Sequence, residues 1–517
     1  MVREHLLRHI TLFCCLLFDI EISTQFPFER DPSMSQNLKY HPYKELTEYL
    51  NVTATKYQNF TNFYSIGKSV LNRNIWVLEI SAAPRERIGV PNVKLLGNIH
   101  GNEPLGKEMI LLLAEYLLSH YTSNRRVQWL LNNTRIHLLP SANPDGFEKA
   151  SVSCGELSGY RNNIRDVDLN SNFPDIFESN DIPRQEETKA IMKWLHDIPF
   201  VLSGSIHTSA LVVTYPYDSK PYNITEGPSL TPDDDTFKYL ASVYASTHPR
   251  MHKEAQCPTI KKKFANGTIN GAEWLSKKGT MQDFNYVIHG CMELSLVISC
   301  CRYPHPADLS IYWKDNREPM LKFLSQVHMG VQGLILNGIT NLTIAHAKLM
   351  IVGRNITFSS TKYGEYWRIL LPGKYKIQAS VKGYQTKIMD FEVKESLLDE
   401  LHMTWLNITL TPCPSDEYYK LRKEICMPVT PSDKISDNKA KKEHYENENQ
   451  TESFQIDHQI TLPTLHGTKG DFLGQTNQRM QSLADNASPK SLNWRVVNLM
   501  TGIYLNHVTS HLWKISS

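Results

Sequence analysis

The chain of 517 residues is too long for one small domain and long enough to bury a sizeable core. Its 41% hydrophobic and 21% charged content is ordinary for a globular protein. A formal net charge of +2 supplies no positive field to hold nucleic acid or an anionic membrane surface, so neither is an expected partner.

Arg3 and Arg8 precede an apolar run from Ile10 to Phe18, and polar residues follow around Ser23. That run is too short to span a bilayer, so residues 1–25 are expected to be a cleaved secretory signal and the protein to be secreted into the extracellular space. A buried amphipathic helix is the competing reading. Export agrees with ten Asn-x-Ser/Thr sequons, at Asn51, Asn59, Asn132, Asn223, Asn266, Asn341, Asn355, Asn407, Asn449 and Asn486. Of nine cysteines, Cys14 and Cys15 would leave with the signal, and the remaining seven are Cys154, Cys257, Cys291, Cys300, Cys301, Cys413 and Cys426. An odd number in an oxidising compartment leaves one free thiol or an intermolecular bridge, and spacing does not set the pairs.

From about Gln36 to Met329 strand-like and helix-like segments alternate. Val93–Leu96 reads as a strand, after which Pro104 opens a helix with Leu105, Met109, Leu112, Leu113, Tyr116 and Leu117 on one face. Arg135–Leu139 is a strand, Glu186–Trp194 a helix, Phe200–Ile206 a strand, and Glu293–Ser299 a further strand. Such alternation predicts an α/β domain over residues 36–329, with a mixed or mostly parallel sheet, and puts functional residues at strand ends and in the loops beyond them. Over residues 330–411 the short runs LMIVG, EYWRILL, YKIQASV, DFEV and TWLNITL predict a small antiparallel β-sandwich. Residues 412–517 turn polar and charged, with Asn, Lys, Glu and Gln dominating Ser432–Gln478, and are expected to be disordered or weakly ordered. Within them Trp494–Trp513 is a poor transmembrane candidate and a weak match to a lipid-anchor signal.

Chemistry concentrates in Gly97-Asn98-Ile99-His100-Gly101-Asn102-Glu103, between a strand and the next helix. If the chain turns there, His100 and Glu103 can offer a nitrogen and an oxygen to one zinc ion, which in a catalytic site takes three protein ligands plus water. By itself this spacing more often means a surface histidine and glutamate. His207, at the end of the strand-like FVLSGSI segment, is the natural distant third ligand.

The segments GNIHGNE, LLPSANPDGFE, DLNSNFPD, ETKAIMKWL, IHTSALVVTYPYD and GTMQDFNY occur in that order. Together they resemble the zinc carboxypeptidases of the carboxypeptidase E, N, M and D subfamily, over roughly residues 36–411. GEYWRILLPGKYKIQASVKGY resembles the transthyretin-like domain that this subfamily carries. The resemblance implies a zinc carboxypeptidase domain with a mixed sheet, then a small all-β transthyretin-like sandwich, and an activity releasing C-terminal Lys or Arg. It implies one Zn(2+) held by His100, Glu103 and His207. It makes Arg161 the group that polarises the scissile carbonyl, and Asn170 a holder of the terminal carboxylate. Asp218 and Gln282 would line a pocket for a basic side chain; a turn after Tyr-Pro-Tyr is the plainer meaning of Asp218.

Three positions depart from the family pattern. Ser171 stands where the family has an arginine that clamps the terminal carboxylate, so a neutral hydrogen bond replaces a bidentate charged pair. Leu275 stands where a tyrosine closes over substrate. Val297 stands where the family has the glutamate that serves as general base. Glu293 is no substitute, because four residues along a strand is about 13 Å. The expectation is a pseudo-peptidase that keeps its zinc and binds a peptide or protein C-terminus, with a basic end favoured, or another extracellular partner. The alternatives are an active metallocarboxypeptidase releasing C-terminal Lys or Arg through another base, and an adhesive protein in which zinc only holds a loop.

Overall fold

The computed structural model describes residues 38–155, 159–180, 182–222, 225–254, 257–395 and 403–413. The expected signal, the sequons at Asn223, Asn449 and Asn486, and the tail beyond Cys413 lie outside them. Eight strands run in chain order: β1 (Thr61–Lys68), β2 (Asn74–Ile80), β3 (Asn92–Gly97), β4 (Arg135–Leu139), β5 (Phe200–His207), β6 (Ala210–Tyr215), β7 (Thr268–Asn270) and β8 (Met292–Ser299). They form one sheet in the order β1-β2-β4-β3-β5-β8-β6-β7. The pairs β3/β4, β3/β5, β5/β8 and β6/β7 are parallel, and β1/β2, β2/β4 and β6/β8 antiparallel, which makes the sheet mixed.

Around it pack α1 (Tyr43–Lys56), α2 (Leu105–Ser119), α3 (Arg125–Asn133), α4 (Pro144–Phe147), α5 (Glu186–Asp197), α6 (Asp234–Thr247), α7 (Gly271–Leu275), α8 (Met281–His289) and α9 (Leu309–Ser325). Alternation along β3 serves two cores: Leu95 joins Met109 and Leu113 of α2, and Leu96 joins Ile191 and Trp194 of α5 with Phe284 of α8. With helices on both faces, every residue of β5 and β8 is buried. The α2 helix is buried on nearly every side, Lys107 and Glu108 included, with Leu112, Glu115 and Ser119 only partly exposed. Burial would raise the Glu108 carboxyl, but Lys107 and His41 facing it hold it below the usual carboxylate range.

The following segment is all β: β9 (Val331–Asn337), β10 (Lys348–Ile351), β11 (Thr357–Ser359), β12 (Glu365–Arg368), β13 (Gly373–Ser380), β14 (Lys387–Val393), β15 (Thr404–Trp405) and β16 (Ile408–Leu410). One sheet runs β11-β10-β13-β14 and the other β12-β9-β15, with β16 also on β9. The expectation of a purely antiparallel sandwich is corrected here, since β15 and β16 pair with β9 in parallel. Thr404 lies opposite Val331, so the returning chain enters at the end where β9 begins. Val331, Ile335, Leu349, Ile377, Ile408 and Leu410 fill the space between the sheets.

Two disulfides, Cys154–Cys301 and Cys257–Cys300, tie separate loops to the chain leaving β8. Cys413 is also disulfide-bonded. Cys291 is a free, buried thiol, which burial pushes up to about 12. Among the described residues no helix is long and apolar enough to cross a membrane.

Candidate metal centre and binding cleft

The turn after β3 is shaped by one residue in the left-handed region. Asn98 has φ 55°, which Asn tolerates better than most side chains. Its buried amide donates to His100 O (2.8 Å) and Gly101 O (3.1 Å), and Ser141 Oγ donates to Asn98 Oδ1 (2.7 Å). Gly101 must lack a side chain, because a Cβ there would lie 2.4 Å from Tyr160 O. That close approach lets Gly101 N donate to Arg161 O (2.9 Å). His207 ends β5 beside this turn, and one donor atom from each of His100, Glu103 and His207 falls within 4.8 Å of the others.

All three residues are buried. His100 Nδ1 is 3.1 Å from Glu103 Oε1 and makes no hydrogen bond. His207 Nδ1 is 3.2 Å from Glu103 Oε2. Each ring is oriented from its other nitrogen, His100 Nε2 by Asp168 Oδ1 (3.2 Å) and His207 Nε2 by Ser205 Oγ (2.8 Å). Asp168 and Arg161 both meet His100 at Nε2, which leaves Nδ1 turned toward the cluster. Burial would raise the Glu103 carboxyl, but His100, His207 and Arg161 hold it well below the usual carboxylate range. Burial lowers His207, keeping its imidazole neutral. Two imidazoles and one carboxylate are a donor set of the kind zinc takes.

Arg161 leans on the same cluster, with Nη1 2.7 Å from Glu103 Oε1 and Nη2 2.9 Å from His100 Nε2. Sheet register then carries the site sideways. The parallel β5/β8 pair sets Ser205 opposite Ser295 and His207 opposite Val297. Ser295 Oγ donates to Gln282 Oε1 (2.9 Å), and Gln282 Nε2 donates to Asp218 Oδ1 (2.9 Å). Asp218 O accepts from Lys277 N (2.8 Å), and Lys277 Nζ donates to Asp168 Oδ2 (2.9 Å). Asp168 touches His100, which closes a ring of contacts. Asn170 sits in the short turn that Asp168 caps, and its Oδ1 accepts from Met281 N (3.1 Å). The ring thus joins the cluster to Asp218 and Gln282, the two residues expected to line a pocket for a basic side chain.

Val297 is 4% exposed and packs with Ala210, Val212, Phe264 and Ile269. Glu293 is fully buried, bonded to Lys94 Nζ (2.8 Å), Ser203 Oγ (2.7 Å) and Asn285, so it cannot serve the cluster. Ser171 donates its backbone N to Asp168 O (3.0 Å), and Leu275, at the end of α7, is 68% exposed. Nothing in the residue pattern singles out Asp168, Ser205, Ser295 or Lys277 as site residues. Only Asp168 stood in a recognised segment, and the others carry no motif that could have marked them.

A sequence model of the zinc carboxypeptidase family matches residues 46–319. Carboxypeptidase M of Mus musculus is 37% identical over 413 residues, covering 77% of this chain and 93% of that protein. The carboxypeptidase N catalytic chain of Mus musculus is 37% identical over 399 residues, covering 69% and 86%. Carboxypeptidase D of Rattus norvegicus is 37% identical over 381 residues, covering 73% of this chain, which spans only 28% of that protein's length.

Proposed function

The chain belongs to the zinc carboxypeptidase family, and within it we propose a zinc-holding protein that binds basic peptide C-termini and hydrolyses them very slowly or not at all. The observation that carries this reading is Val297, in direct register with His207 where the family's proton acceptor belongs.

The family is zinc-dependent, and the unpartnered His100 Nδ1 beside the Glu103 carboxylate supports His100, Glu103 and His207 as holders of one ion. When bound, zinc supplies Lewis acidity toward a carbonyl oxygen and acidifies water. Arg161 is placed to hold that carbonyl oxygen by charge-assisted hydrogen bonds. Asp218, its carboxylate oriented by Gln282, faces a basic side chain. Nothing at Val297 accepts a proton from water or returns one to a leaving amine. Asp168 is no replacement base: burial opposes its ionisation, but His100, Lys277 and Arg161 hold it far below the usual carboxylate range. Lost acid–base catalysis costs roughly 10²–10⁴-fold.

Secretion, with residues 1–25 as signal, is part of the proposal, supported by two disulfides and by exposed sequons at Asn51, Asn59, Asn266, Asn341, Asn355 and Asn407. So is division into a peptidase-like domain over residues 36–329, a transthyretin-like domain over 330–411 and a tail. The second reading, an active enzyme releasing C-terminal Lys or Arg, is favoured by the 37% identity to proteins named carboxypeptidases. Zinc content and hydrolysis of an arginine-ended peptide, measured on one purified sample, separate the two. Stoichiometric zinc without turnover supports the pseudo-peptidase; chelator-sensitive turnover at roughly 1–10³ per second overturns it.

A further inference from the structure

A peptide end brings its own negative charge, and the cleft holds a cation with no assigned task. Lys277 follows α7, its side chain 24% exposed, its backbone N on Asp218 O (2.8 Å) and its Nζ on Asp168 Oδ2 (2.9 Å). It therefore spans from the pocket for the last side chain to the rim of the metal cluster. Its loop is fastened to the turn carrying Asn170 and Ser171. Phe173 N donates to Gly279 O (3.0 Å), Met281 N to Asn170 Oδ1 (3.1 Å), and Gly279 N to Asp175 Oδ2 (3.0 Å). Packing there is tight enough that a Cβ on Gly279 would come 2.8 Å from Ser171 O. The ammonium is thus carried on a framework that spans Asp218 and the Asn170–Ser171 turn.

A residue whose side chain enters toward Asp218 carries its α-carboxylate at the other end of that side chain, and Lys277 is fastened both to Asp218 and to Asp168 at the turn. Ser171 can offer that carboxylate only a neutral hydroxyl. Arg161, which leans on Glu103 and His100, is the group already assigned to the carbonyl oxygen. We propose that Lys277 is the anchor for the terminal carboxylate of the bound peptide, exchanging part of its contact with Asp168 for the incoming anion. This rests on the peptide-end reading above. A lysine is a point charge on a flexible stem, so it recognises the carboxylate as an anion without a guanidinium's bidentate geometry.

The test compares two peptides ending in arginine, one with a free C-terminal carboxylate and one with a C-terminal amide. Each is titrated against zinc-loaded wild type, Lys277→Ala, Lys277→Arg and Asp218→Asn. Wild type is expected to favour the free acid, and Lys277→Ala to lose about 10- to 100-fold of that preference, in line with one charge-assisted hydrogen bond. Lys277→Arg restores it. A loop merely disordered by the substitution would weaken both peptides alike and leave their ratio unchanged. If Lys277→Ala keeps the acid preference while Asp218→Asn loses affinity, Lys277 is not the anchor and the peptide-end reading stands. If wild type binds neither peptide, that reading falls and the anchor with it.

Discussion

His207 and Val297 are direct neighbours across the parallel β5/β8 pair, so a metal-ligand candidate and an apolar side chain occupy adjoining positions on the sheet. Val212 faces Val297 from the antiparallel side. The apolar patch with Phe264 and Ile269 therefore reaches the edge of the metal cluster. A glutamate at this point would be flanked by His207 and by that patch, surroundings that raise a carboxylate's proton affinity toward the range useful for general-base work.

Val297→Glu is therefore expected to gain turnover of an arginine-ended peptide, by at least about 10²-fold over wild type. Single-turnover hydrolysis at equal zinc occupancy is the measurement. A variant that stays zinc-loaded and folded yet shows no gain, beside a wild type with clear activity, would mean that another group already performs the proton transfer.

Asp168 holds His100 through Nε2 while Nδ1 faces the cluster. Replacing it with Asn keeps the size and removes the charge that orients the imidazole. Zinc affinity should weaken roughly 10- to 100-fold, as measured by competition with a chelator. Unchanged affinity would show that Arg161 and the turn geometry alone position the ring.

Much of this arrangement was legible because local chemistry carried it. The His100–Glu103 spacing sits after an apolar strand and before a helix opened by Pro104, and the structure folds that stretch as a turn. His207 follows from the rule that functional groups collect at strand ends. The contacts that complete the site were not legible, for a physical reason. Lys277 meets Asp168 across 109 residues, and Ser295 reaches Gln282 from a different element, so neither contact leaves a periodic trace in the chain. The strand β1, with Thr, Asn, Ser and Gly among its residues and none of them buried, lacks the alternation that would have announced it. The parallel return of β15 and β16 was hidden because residue pattern reports burial and not strand direction.

The carboxylates Asp218 and Asp283 make peptide binding expected to depend on pH. Burial pushes Asp218 up to about 6, with Glu293 adding to the effect and Thr280 and Lys277 opposing it. Asp283 beneath it is raised as well, by burial and by Asp218. Below pH about 6 Asp218 is neutral and cannot pair with a guanidinium; above it the carboxylate is present. Affinity for an arginine-ended peptide should fall about tenfold between pH 7.5 and pH 5, and Asp218→Asn should flatten the profile. The stability sign is opposite to that of a salt-bridged acid. The folded chain binds this proton more tightly than the unfolded one, so Asp218 favours folding in acid and withdraws that support as pH rises from 3.8 through about 6. A pH-independent affinity in wild type would remove Asp218 from the pocket.

The β-rich segment is linked through α8 to Gln282 and Asp218. Arg368 is 2% exposed, its Nη1 donates to Gly290 O (2.8 Å) just past α8, and its Nη2 pairs with the fully buried Asp233. Tyr286 of α8 donates its hydroxyl to the same carboxylate (2.6 Å); burial and Asp233 push the phenol up, so it remains a donor. Arg354 completes the group, bonding Asp233 Oδ1 (2.7 Å) and Asp235 Oδ2 (2.8 Å). The C-terminal end of α8 is thus held by the all-β segment, while its first turn presents Gln282 to Asp218. Arg368→Met would leave Asp233 buried with one guanidinium fewer, at a cost of about 3–5 kcal/mol. Urea unfolding reads that loss, and adding Asp233→Asn should recover part of it because the uncompensated charge is gone. Because α8 also sets Gln282, the single variant should bind the arginine-ended peptide more weakly although no residue of the pocket has changed. A loss below about 1 kcal/mol with unaltered peptide affinity would show that α8 holds its position without the arginines of the β-rich segment.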